Sequence, residues 1–94
     1  MIVSFSGEVF VAPGEAAWHF VRVPPDPSEE IRLASGPPVA FGSVKVEATV
    51  GRSVWSTSVF PESRDAYVLP LKKSIRAAEG ILEGDTVDVS LRLI

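Results

Sequence analysis

The sequence predicts a mainly β fold: a small closed barrel of six antiparallel-type strands with one or two short helices. Three observations carry that expectation. Residues 43–50 and 86–94 alternate apolar and polar side chains with a period of two, the mark of half-buried strands. Eight prolines and seven glycines interrupt the chain at short intervals, so the elements between them are short. Six strands in an open sheet would leave unpaired edges, and closure into a barrel removes them. Ninety-four residues suffice for one core, and residues 1–94 are expected to form a single domain.

The elements follow in order. Residues 2–11 place Val3, Phe5, Val9 and Val11 on one parity and Ser4, Ser6 and Glu8 on the other, with Gly7 as a candidate bulge. Ala12-Pro13-Gly14-Glu15 reads as a turn. Residues 17–23 are apolar on both faces, Trp18 and Phe20 on one and Val21 and Val23 on the other. That strand is expected to lie deeper than the first. Asp26-Pro27-Ser28-Glu29 resembles a helix start, with Asp26 as cap, Pro27 at the first helical position and Glu29 completing a capping-box-like spacing. The helix should run to about Ser35, where Gly36-Pro37-Pro38 stops it.

Residues 41–50 form the clearest strand, with Val44, Val46, Ala48 and Val50 on one face. Gly51-Arg52 suits a hairpin turn into a strand over 54–60. A polar loop over 61–65 leads to a short strand over 66–71. Residues 72–79 hold good helix formers, closed by Gly80. After the Gly84-Asp85 turn, residues 86–94 point Val87, Val89, Leu91 and Leu93 inward.

Composition excludes several classes. The chain has no cysteine, so disulfide frameworks, thiolate zinc sites and cysteine nucleophiles are out. Residues 1–8 lack a cationic segment followed by an apolar run, which points away from a secretory signal or membrane span and toward a soluble, cytoplasmic protein. A formal charge of −3 argues against generic attraction to nucleic acid or anionic membrane. The acids concentrate early: residues 1–40 carry five acids and two bases, residues 41–94 seven of each.

No catalytic constellation emerges. Ser56, Thr57 and Ser58 fall in a strand, no Gly-x-Ser-x-Gly elbow occurs, and His19 is the sole histidine. Glu8, Glu15, Asp85 and Asp88 lack calcium-loop spacing, and the glycines stand singly rather than grouped around a phosphate. Glu29-Glu30 fits as favourable charge near a helix N-terminus. We therefore expect no cofactor and no metal; the residues lean away from an enzyme, with one acting through Arg64, Lys72 or Lys73 as a third reading, since lysines titrate readily when buried. The sharper feature is a set of cations and aromatics between 55 and 76: Trp55, Thr57, Arg64, Tyr67, Lys72, Lys73 and Arg76. Lys72 and Arg76, four apart, share a helix face, and such a patch can hold phosphate or carboxylate. Against it stands a solvated helix face, with Trp55 and Tyr67 as core.

Five segments carry a family resemblance. Phe41-Gly42-Ser43-Val44-Lys45-Val46, Trp55-Ser56-Thr57-Ser58-Val59-Phe60-Pro61, Tyr67-Val68-Leu69-Pro70-Leu71-Lys72-Lys73 and Gly84-Asp85-Thr86-Val87, together with Trp18-His19-Phe20-Val21-Arg22-Val23-Pro24, look like the bacterial DUF1905 family. The resemblance implies a closed six-stranded barrel related to the double-split barrel of AbrB-like proteins, with no settled activity. The sequence departs from the pattern at Glu62-Ser63-Arg64-Asp65, where a Lys and a Gly are expected. The stretch from Val68 is also similar to the AbrB swapped hairpin. AbrB-type chains dimerise to complete a barrel, whereas this chain supplies every strand and is expected to be a monomer. The functional expectation is a noncatalytic binding module for a small anionic ligand or a protein partner. The alternative, by AbrB-type analogy, is a nucleic-acid-binding, transcription-regulator-like domain using Lys72, Lys73 and Arg76.

Overall fold

The computed structural model describes residues 1–14, 17–36, 42–63 and 66–94. Six strands and two helices follow one another: β1 (Ile2–Val11), β2 (His19–Arg22), α1 (Pro25–Ala34), β3 (Val44–Val50), β4 (Ser53–Pro61), β5 (Tyr67–Pro70), α2 (Lys73–Glu79) and β6 (Thr86–Leu93). The strands close into a barrel in the order β1-β2-β5-β4-β3-β6, and every pairing is antiparallel.

Two strands turn the corners. β1 pairs with β6 from Ile2 to Glu8 and with β2 from Val9 to Val11. β4 pairs with β3 from Ser53 to Val59 and with β5 at Phe60 and Pro61. The barrel thus consists of a larger sheet, β1-β6-β3-β4, and a smaller one, β1-β2-β5-β4. Inward-pointing Val3, Val9, Val21, Val46, Ala48, Val59, Leu69, Val89 and Leu91 are buried along the strands, with Ile31 of α1 and Ile75 of α2 packed into the same core.

Several expectations shift. Gly7 is not a bulge: it pairs with Val87 inside an unbroken register. Its role is close approach, because a Cβ there would stand 2.6 Å from Val21 Cγ1 and 3.1 Å from the Arg22 carbonyl oxygen. The second strand is shorter than 17–23 and is buried on one face only, since Val21 and Val23 are inside while Trp18 is 59% exposed. Apolar residues on its other face cover the outside of the smaller sheet, not a deeper layer.

α1 begins at Pro25 behind Pro24, with no side-chain cap; Asp26 lies in its first turn. The Ser28 amide donates to the Pro24 carbonyl at 3.0 Å, which moves the helix start ahead of Asp26. Glu29 pairs with Arg32 rather than closing a capping box. β3 starts at Val44; Phe41, Arg64, Asp65 and the Glu15 end of the first turn lie outside the described residues. α2 ends as expected on Gly80, whose φ of 64° is left-handed and lets the Ile81 amide reach the Arg76 carbonyl.

Candidate functional site

One end of the barrel carries a cavity of about 460 Å³. Its walls come from the last turn of α1 (Arg32, Ala34, Ser35), the chain entering β3 (Gly42, Ser43, Val44, Lys45), the end of β4 (Pro61), the start of β5 (Tyr67) and the end of β6 (Leu93, Ile94). Antiparallel closure is what gathers these segments: where β3 and β5 begin, β4 and β6 end.

A buried hydroxyl fixes the geometry. Ser28, 1% exposed, donates from Oγ to the Val23 carbonyl at 3.0 Å and accepts the Tyr67 amide at 3.1 Å. The Tyr67 carbonyl in turn accepts the Val23 amide at 2.8 Å. One side chain therefore joins α1 to the end of β2 and the start of β5, and it satisfies backbone groups that burial would otherwise penalise. Tyr67 is held at the cavity wall by this arrangement. Arg32 lies one turn after Ser28, and Lys45 is tied to the end of β6 through the Ile94 amide, 3.3 Å from its carbonyl. Among the described lining residues, the charged ones are Arg32 and Lys45, both cationic; the rest of the wall is largely apolar.

The loop after β4 is fastened from outside. Arg22 Nε and Nη2 donate to the two Glu62 carboxylate oxygens at 2.5 and 2.8 Å. Hydrogen bonding by the guanidinium holds the Glu62 carboxyl below the usual carboxylate range and raises Arg22 correspondingly.

The residues singled out in the sequence do not form one cluster. Tyr67 lines the cavity. Thr57 lines a shallower neighbouring hollow of about 490 Å³ that shares Lys45 and Ile94 with it. Trp55 pairs with Ala48 and is buried in the core. Lys72 and Lys73 are exposed at the start of α2, and the Arg76 guanidinium donates through Nε to the Leu71 carbonyl at 3.1 Å. Tyr67 begins β5 and Lys72 follows its end, so the α2 cations lie away from the cavity along that strand. Arg64 lies outside the described residues. Sequence reasoning missed Arg32 and Lys45, which read as ordinary polar-face residues of a helix and a strand.

Among the described residues, no three His, Asp or Glu side chains converge on a metal-sized point, and no helix is long and apolar enough to cross a membrane. Fold and site define a class: six-stranded antiparallel barrels with two end-capping helices and a cavity at one mouth. The chain belongs to the DUF1905 family, described as a domain of unknown function, which matches residues 5–91. No curated protein matches the chain.

Proposed function

We propose that the barrel is a noncatalytic binding domain, and that the cavity beside Tyr67 takes a small ligand bearing one anionic group on an apolar body. The observation that supports this reading is the composition of the wall: Arg32 and Lys45, with the Ser35 and Ser43 hydroxyls, on a surface whose remaining side chains (Ala34, Val44, Pro61, Tyr67, Leu93 and Ile94) are mostly apolar. Ligand pockets are commonly apolar with a few placed polar groups. A carboxylate or phosphate entering there meets Lys45 and the Arg32 guanidinium, which Glu29 already pairs with from the same helix, while its apolar body is removed from water.

A thermal-shift series with benzoate, 4-hydroxybenzoate and phenyl phosphate tests it. Saturating ligand stabilises a folded protein by about 2.7 kcal/mol at a hundred times Kd, which moves the melting temperature of a domain this size by roughly 10–20 °C. The shift should vanish in the Arg32→Ala/Lys45→Ala variant and survive in Lys72→Ala/Arg76→Ala. A shift that behaves the other way round, or none with any of the three probes, contradicts the proposal. Nucleic-acid binding through Lys72, Lys73 and Arg76 is the weaker reading, because the Arg76 Nε is already committed to the Leu71 carbonyl and duplex binding needs several phosphate contacts.

A further inference from the structure

The two sheets carry different outer faces. On the larger sheet that face is mostly polar, with Ile2 and Val54 exposed on it: Ser4 and Ser90 hydroxyls meet at 3.0 Å, Ser6 donates to Asp88 at 2.5 Å, and Arg92 pairs with Glu47 at 3.1 Å. On the smaller sheet, the alternation that sends Val9, Val21 and Leu69 into the core sends Phe10, Phe20, Arg22, Val68 and Pro70 outward. The Phe10 and Phe20 rings stand 5.9 Å apart and those of Trp18 and Phe20 6.3 Å, with the Arg22 guanidinium 4.5 Å above Phe10. Trp18 is 59% exposed and Phe60, beside Val68, 41%. Phe10 and Phe20 are half-buried between the exposed Trp18 and Phe60, and Val68 is covered; aromatic rings gathered on one partly exposed face are a mark of association.

The strip is also polarised along its length. The Leu71 amide donates to the His19 carbonyl at 2.9 Å and so continues the Phe20↔Pro70 register by one rung. Carried one rung beyond the strand, that register places Lys72 opposite Trp18, and Lys73 opens α2. At the opposite end, Arg22 is bonded to Glu62, and Glu8 lies one rung beyond Val9↔Val21. The strip therefore runs from the lysines, across aromatic rings, to the Arg22–Glu62 pair and Glu8. A two-fold axis near Phe20 lays the lysines of one copy against Glu8 and Glu62 of another and the rings against each other. Such self-complementarity is what an isologous dimer requires.

We infer that this aromatic face is the interface between two copies of this chain. The acidic end disfavours a nucleic-acid occupant, whose phosphates need cations along the whole strip. Each copy closes its own barrel, so the second copy covers a surface and completes no sheet.

Sedimentation velocity over a micromolar-to-millimolar series tests this, with circular dichroism confirming the fold of each variant. The wild type should associate to a dimer. Trp18→Ser should weaken association about tenfold or more, as loss of a central aromatic does. Lys72→Glu/Lys73→Glu and Glu8→Lys/Glu62→Lys should each weaken it, and an equimolar mixture of those two variants should restore it, because both charged contacts are then reversed together. A wild type that stays monomeric throughout overturns the inference, as does Trp18→Ser dimerising as tightly as wild type or a mixture associating no better than its components. Oligothymidylate binding by a monomeric wild type would overturn it in favour of nucleic acid.

Discussion

The Tyr67 amide donates to the Ser28 hydroxyl at 3.1 Å, linking residues 39 positions apart, and that hydroxyl donates onward to the Val23 carbonyl. This single side chain couples the position of α1 to the strand that supplies the cavity's tyrosine. Ser28→Ala leaves a buried amide and a buried carbonyl short of a partner, which costs about 1–3 kcal/mol. Urea denaturation should show the midpoint falling at unchanged slope. A variant as stable as wild type would mean that the hydroxyl carries no structural role.

Gly7 and Val21 are in conflict the moment Gly7 gains a side chain, since the new Cβ would stand 2.6 Å from Val21 Cγ1. Gly7→Ala should destabilise by about 1–3 kcal/mol, as overpacking does. Val21→Ala removes the methyl in the way, so in a double-mutant cycle Gly7→Ala should cost less on the Val21→Ala background. Strict additivity would show that the Arg22 carbonyl, and not Val21, is the obstacle.

The Arg22–Glu62 pair makes a pH-dependent contribution. Glu62 titrates below its ordinary range when folded, so its stabilisation is present above the unfolded carboxylate pKa and is lost as pH falls through the folded value. Both side chains are substantially solvent-accessible, at 54% and 35%, which limits the effect to about 0.2–1 kcal/mol. The stability difference between wild type and Glu62→Gln should therefore be small at neutral pH, shrink in acid and shrink in high salt. A difference that grows in acid has the wrong sign for this pair.

How much of this was legible in the sequence depended on whether the signal was local. β3 and β6 were plain because every second residue of each faces one side of a sheet. The barrel followed from strand number and the need to cover edges. The start of α1 was misread because Asp26 and Glu29 mimic a capping pattern while Ser28, whose buried contacts fix the helix, looks unremarkable as a serine. Trp18 and Phe20 suggest depth in the sequence yet lie on the outer face of the smaller sheet, a distinction that alternation on one strand does not contain. The candidate site was grouped by nearness in sequence, yet an extended strand moves the chain about 3.3 Å per residue, and Tyr67 is thereby separated from Lys72. Arg32 and Lys45 meet at the same cavity only because the barrel closes, and no spacing in the chain announces that.

The most direct test of the cavity assignment is a ¹H–¹⁵N chemical-shift titration of the wild-type protein with 4-hydroxybenzoate. The account predicts saturable shifts concentrated at Ser35, Ser43, Val44, Lys45 and Tyr67, with Lys72, Lys73 and Arg76 unmoved. Shifts confined to the start of α2, or none at millimolar ligand, would contradict it.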